Sequence, residues 1–295
     1  MNTLSAYEAR VADPSDVEGA YAFCESLVRS HYENFPVASR LLFGRARRAI
    51  AALYGFARLS DDFADEPEYE GVRLERLEEW RRELAAVRED GVPGHPVFVA
   101  LRDAVKKFAL PLEPFEDLLS AFTQDVTKKR YESFAEVLDY CRRSANPVGR
   151  IVLMVHGYRD PELLRMSDAI CTGLQLANFW QDMSVDLKKD RIYVPREDFE
   201  RFGYSEGDMF RGAANEALRA LTAFEVARAR RLFAQGRALP SKLRWPLSWE
   251  IALTVRGGLA ILDKIEAQGF ITLGRRPALG KLDWLRALLR HGVGP

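Results

Sequence analysis

The chain has 295 residues, 47% of them hydrophobic, and its 43 Lys plus Arg balance 43 Asp plus Glu to a formal net charge of zero. That balance leaves no basic surplus to suggest a nucleic-acid binder, and the apolar content is ample for a sizeable core in one domain spanning residues 1–295. Three cysteines without a C-x-x-C pair point to a reducing, cytoplasmic setting.

The N-terminus, MNTLSAYEARVADPSD, is too polar for a signal peptide, and no apolar run approaches the roughly 20 residues of a spanning helix. A soluble or peripheral protein is therefore expected. Further along, helical periodicity recurs between Gly/Pro-marked breaks at 66–71, 91–96, 110–114, 157–161, 195–208, 236–246 and 269–280. Segments 74–89, 213–235 and 249–268 read as long helices, and 191–195 is the best short extended candidate. No repeat or linker interrupts this pattern, so an all-α, single-domain helical bundle around a central cavity is expected.

Two of the helical stretches carry aspartates four residues apart, Asp61 with Asp65 and Asp182 with Asp186. Four residues is just over one turn, so each pair projects in nearly one direction with Cβ atoms roughly 6 Å apart. Two carboxylates at that spacing repel by about 3 kcal/mol at an effective dielectric near 20, which calls for a cation between them. Rotation by about 100° per residue places Tyr54 and Arg58 in the same arc as Asp61 and Asp65, with Ile50, Leu53, Phe56, Leu59 and Phe63 spread around the rest. Gln175 and Asn178 join Asp182 and Asp186 in a second arc, flanked by Leu174, Leu176, Phe179, Trp180, Met183 and Val185. Each helix is thus apolar nearly all round with one acidic strip, a pattern expected to line an internal cavity.

Carboxylates and the Asn178 amide are hard oxygen ligands suited to Mg²⁺, which binds through a few carboxylates plus substrate phosphates. Zinc is disfavoured, because His31, His95, His156 and His291 are scattered and Cys24, Cys141 and Cys171 are unpaired in sequence. The residues alone therefore imply a metal and polyanion site.

The sequence YGFARLSDDFAD resembles the first aspartate-rich motif of squalene and phytoene synthases. LQLANFWQDMSVDLKKDRIYVP resembles the second, with its Gln-x-x-Asn-x-x-x-Asp-x-x-x-Asp spacing intact. The resemblance implies an isoprenoid synthase fold that binds prenyl diphosphates through two or three Mg²⁺ ions. On it, Asp61, Asp65, Asp182 and Asp186 take the metal-bridging positions with Asn178 beside the second pair. Arg58, Gln175 and Arg191 fall where diphosphate is contacted or the pocket is lined, and His31 and Asn34 fall among the substrate-binding positions. Tyr54 and Tyr140 match aromatic positions close to the reacting carbons, where each either steadies a carbocation or simply packs in the core.

Two departures bear on the subfamily. Members that make squalene or phytoene usually show Tyr-Cys-x-x-Val-Ala-Gly-x-Val-Gly, whereas Tyr140-Cys141 is followed here by Arg142-Arg143-Ser144-Ala145-Asn146-Pro147-Val148-Gly149, and a Ser-Phe pair appears as Asn34-Phe35. Both are similar to the bacterial hopanoid-pathway hydroxysqualene synthase branch, which implies presqualene diphosphate as substrate, water capture as the last step and no NADPH. Asn146 either holds the attacking water or marks a helix boundary with Pro147. The resemblance also leaves open head-to-head condensation of two prenyl diphosphates and, in another class, a non-catalytic assembly protein. The C-terminal segment KLDWLRALLRH is amphipathic and either closes the bundle or docks peripherally on a membrane.

Overall fold

A computed structural model describes residues 13–30, 44–89 and 91–280. His31, Asn34 and the amphipathic C-terminal segment lie outside the described residues. Twelve α-helices are found there: α1 Val17–Ser30, α2 Gly44–Asp65, α3 Arg73–Arg88, α4 Pro96–Phe108, α5 Glu113–Thr127, α6 Phe134–Ser144, α7 Asn146–Val155, α8 Pro161–Asp186, α9 Arg196–Phe202, α10 Glu206–Phe210, α11 Glu216–Gly236 and α12 Leu247–Ala267. No strand occurs among the described residues, so the all-α expectation holds. The short extended candidate 191–195 is not a strand; its tie to the preceding chain is Ile192 N–H to Lys129 O at 3.0 Å, with Arg196 N–H, just past it, donating to Tyr131 O at 2.9 Å. None of the described helices is long and apolar enough to cross a membrane.

The chain divides into two compact units, Met1–Thr127 with Pro147–Asp160, and Lys128–Asn146 with Pro161–Pro295. In the first unit α2 packs against α1, α3, α4 and α5. Its inner face buries Ala52, Phe56, Leu59 and Phe63. Phe56 meets Phe98 and Phe115 edge to face at 5.8 and 5.5 Å, and Phe63 meets Tyr69 and Trp80 at 5.1 and 5.2 Å. Each such ring contributes about 1.5–3 kcal/mol by burial. This face fixes the rotation of α2 and so turns Tyr54, Arg58, Asp61 and Asp65, all partly accessible, the other way.

In the second unit the 26-residue α8 is the long element, about 39 Å at 1.5 Å per residue. It packs on α11, α12 and α6. Close approach relies on glycine: an ideal Cβ on Gly236 of α11 would lie 2.6 Å from the Met166 carbonyl oxygen and 2.4 Å from Ile170 Cγ1, both on α8. Asn215 starts α11 by accepting the Leu218 N–H at 3.0 Å, the side-chain cap that satisfies one orphan donor of a helix start.

Glu250, in the first turn of α12, is only 4% exposed and its Oε1 has no hydrogen-bond partner. Burial pushes its carboxyl from the ordinary 4.5 up to about 7. A carboxyl that keeps its proton longer when folded stabilises the fold fully below about 4.5, and that contribution drains away as pH rises through 7. Wild-type protein is therefore expected to be about 2 kcal/mol less stable in urea at pH 8 than at pH 5 through this group. Glu250→Gln should remove that part of the slope; an unchanged slope would exclude Glu250 as its source.

Candidate functional site

On α2 the strip forms as the sequence predicts, but its most buried carboxylate is Asp62, which the spacing argument passed over. Asp62 is 1% exposed and pairs with Arg58 Nη2 at 2.5 Å, while Glu66 lies 3.8 Å from the same nitrogen. Burial pushes the Asp62 carboxyl up to about 7 against the pull of Arg58. Arg58, expected to contact diphosphate, is thus held from below by a residue one helical turn on. Its Nε is buried without a partner, which leaves an unused donor on this face. Burial likewise raises the Tyr54 hydroxyl above its usual range, so this phenol stays neutral.

On α8, Asp182 and Asp186 are partly exposed and Asn178 is exposed, while Leu176, Phe179, Trp180 and Met183 are buried. Val185, expected to be part of the apolar flank, is exposed. Asn178 Nδ2 donates to Asp182 Oδ2 at 3.0 Å. A guanidinium from far along the chain covers the same carboxylate: Arg276 donates from Nε to Oδ1 and from Nη2 to Oδ2, the latter at 3.1 Å. The Asp182 carboxylate in turn holds that guanidinium protonated more firmly than usual.

After α8 the chain turns through Leu187–Lys189 and Asp190, whose φ of 57° is left-handed. Arg130 braces the turn, donating to Asp190 Oδ1 at 2.6 Å and to Glu206 Oε2 at 2.8 Å. The reversal lets the Arg191 N–H donate to Asp186 O at 2.9 Å. It also lays Tyr193 flat on Phe179, with centroids 3.7 Å apart and planes at 8°. Tyr140 stands 6.0 Å from Phe179 and 5.9 Å from Tyr193, and Tyr131 completes the cluster 5.9 Å from Tyr140. Asp186, Arg191, Phe179, Tyr193 and Met183 line one small cleft beside it. Predicted Asp186, Arg191 and Tyr140 therefore gather here, together with Phe179, placed by the period in the apolar flank, and Tyr193, which periodicity did not single out.

Asn146 begins α7, with Pro147 after it, so the helix-boundary alternative is realised. Its side chain is also used: Oδ1 accepts the Thr172 hydroxyl at 2.9 Å, both residues being buried. Thr172 lies three residues before Gln175 on α8, one turn further from the aspartates.

The donor set bears on the expected metal. Among the described residues no group of three or more His, Cys, Asp or Glu is placed to hold an ion by protein alone. Pairs of carboxylates fit Mg²⁺, which keeps waters and takes its remaining ligands from phosphate. They do not fit a closed structural zinc centre.

The family model described as squalene/phytoene synthase matches residues 28–283. A hydroxysqualene synthase of Sinorhizobium fredii is 37% identical over 270 residues, covering 89% of this chain and 87% of the relative. A 15-cis-phytoene synthase of Synechocystis is 34% identical, covering 92% of this chain and 87% of the relative. Among solved structures, squalene synthase HpnC from Alicyclobacillus acidocaldarius superposes with a TM-score of 0.82 at 39% identity, over 91% of this chain and 99% of that one.

Proposed function

We propose a reaction for this chain on the premise that it belongs to the squalene/phytoene synthase family of prenyl diphosphate-utilising enzymes: Mg²⁺-dependent conversion of presqualene diphosphate to hydroxysqualene. The observation that carries the choice of product is Asn146, a buried amide where squalene- and phytoene-forming members are expected to have a small apolar residue. The 37% likeness to a hydroxysqualene synthase supports the same reading. Production of phytoene or dehydrosqualene by head-to-head condensation is the second reading, favoured by the 34% likeness to a phytoene synthase.

In the proposed reaction the substrate C–O bond breaks with its electron pair leaving on diphosphate, a cyclopropylcarbinyl cation rearranges, and water adds to the resulting carbocation and loses a proton. Asp61, Asp65, Asp182 and Asp186, with Asn178, would hold the metal. Bound there, Mg²⁺ supplies neutralisation of the departing diphosphate's charge. Arg58, positioned by Asp62, and Arg191 offer guanidinium donors to the same anion, and a fixed donor of this kind is most effective where charge develops. Tyr140, with Phe179 and Tyr193, offers aromatic faces that stabilise a cation by roughly 0.5–2 kcal/mol each without reacting with it. Thr172 donates to Asn146 Oδ1, which leaves the amide NH₂ as the group that would hold a water. Gln175 lies between these two levels of α8 and is assigned to substrate.

The test is to incubate purified protein and Mg²⁺ with farnesyl, geranylgeranyl or presqualene diphosphate in separate reactions, with and without NADPH. Hydroxysqualene formed from presqualene diphosphate at the same rate with or without NADPH is expected. Phytoene from geranylgeranyl diphosphate, or squalene only with NADPH, would replace this reading.

A further inference from the structure

Arg276 reaches Asp182 across 94 positions of sequence. Its contact is a fork: Nε goes to Oδ1, Nη2 to Oδ2, and Asn178 takes a second place on Oδ2. The neighbouring residue is tied down as well, since Gln181 Nε2 donates to the Pro277 carbonyl oxygen at 2.6 Å. Adjacent positions on α8 thus grip adjacent positions of the C-terminal segment. The segment is aimed by a turn in which Arg275 N–H donates to Thr272 O at 3.3 Å and Gly274 takes a φ of 82°, a left-handed conformation that glycine adopts at no steric cost.

The pair is asymmetric in burial. The Asp182 side chain is 15% exposed and that of Arg276 is 50% exposed, so the guanidinium caps the carboxylate from the solvent side. An ordinary exposed ion pair is worth little. A bidentate, charge-assisted fork on a largely covered carboxylate is stronger and geometrically specific. It also uses the oxygens that a metal at Asp182 requires, and a guanidinium and a divalent cation cannot share them at contact distance without strong mutual repulsion. The guanidinium can swing out without disturbing the core, because half of it is already in water.

We propose that Arg276 is a resident counter-cation of the second acidic pair: it holds Asp182 until a divalent cation arriving with diphosphate displaces it, so that metal loading and release of residues 274–277 are one event. The inference rests on the reading of Asp182 as a metal ligand. Removing the resident cation frees the carboxylate, and the empty protein then binds metal more tightly even though no catalytic group has been added.

Mn²⁺ with inorganic pyrophosphate is the probe, with free Mn²⁺ counted by electron paramagnetic resonance on the full-length chain. Arg276→Gln is expected to tighten Mn²⁺ binding about tenfold, the equivalent of one charge-assisted contact, and Arg276→Lys to fall between the two. Hydrogen exchange of the 270–280 peptide should rise when Mn²⁺ and pyrophosphate are added to wild type. In Arg276→Gln it should be high from the start. If Arg276→Gln binds Mn²⁺ no more tightly than wild type while Asp182→Asn abolishes binding, Arg276 is a surface pair and the inference fails with the metal assignment intact. If Asp182→Asn leaves Mn²⁺ binding unchanged, the metal assignment itself fails and takes this inference with it.

Discussion

Asp61→Asn and Asp182→Asn, made separately, are each expected to lower kcat/KM by about 10³-fold or more while the protein stays folded. A thousandfold loss is about 4 kcal/mol of transition-state stabilisation, the scale expected when charge neutralisation at a leaving group is impaired. Asparagine keeps the shape and removes the charge that would hold Mg²⁺. Both aspartates are partly accessible, so the substitution leaves the apolar core untouched; a thermal midpoint within a few degrees of wild type should accompany the loss in Asp61→Asn, and a larger drop in Asp182→Asn, which also gives up the Arg276 fork. Asp62→Asn makes the contrast. Asp62 is the fully buried partner of the partly accessible Arg58, and replacing it takes away a charge-assisted contact that Glu66, 3.8 Å from the same nitrogen, makes up only in part, at a cost of about 1–3 kcal/mol. Inactivity with full stability in Asp61→Asn and lost stability in Asp62→Asn would separate ligand from support. Full activity in Asp61→Asn would remove the metal assignment.

Much of this arrangement could be read from local pattern. The segments 74–89, 213–235 and 249–268 became α3, α11 and α12 with ends shifted by at most three residues. The strips on α2 and α8 follow from the helical period, because the apolar residues around them determine which way each helix faces. The interval 195–208, read as a break, instead holds α9 and the start of α10. Its signal was present: Ser205 and Asp208 form a reciprocal capping box, the S-x-x-D signature of a helix start. Such short helices lack the turns needed to show a period.

The residues that the sequence argument missed are those whose role depends on non-local partners. Arg276 meets Asp182 only through the folded path of the chain. Tyr193 lies on Phe179 only because the Asp190 turn reverses direction. Asp62 is adjacent to a predicted ligand, but one residue is about 100° of helix rotation, and that step carries it from the accessible strip into the interior. Thr172 bears on Asn146 only through a hydroxyl contact that spans 26 positions of sequence.

Replacing Phe233 by Ala is expected to cost about 3–5 kcal/mol, the range for emptying a large buried aromatic site. Its ring sits where α8, α11 and α12 meet. An ideal Cβ on Gly173 of α8 would lie 3.3 Å from the ring, and one on Gly258 of α12 would lie 2.6 Å from Phe233 Cζ and 2.7 Å from Leu174 Cδ2. Those two glycines are therefore the space into which the ring fits. Gly258→Ala in wild type should be destabilising by about 1–3 kcal/mol through overpacking, despite the helix propensity that alanine adds. With Phe233→Ala already present, the added methyl meets a cavity and the tip of a flexible leucine. The same change should then be close to neutral or stabilising. Urea denaturation of all four proteins gives the coupling energy directly. A value above about 1 kcal/mol is expected for residues in contact, and simple additivity would mean that the ring does not set the spacing of α12 from α8. Because Gly173 and Asp182 share α8, the packing that holds this spacing is also what holds the second acidic strip in register with its own unit.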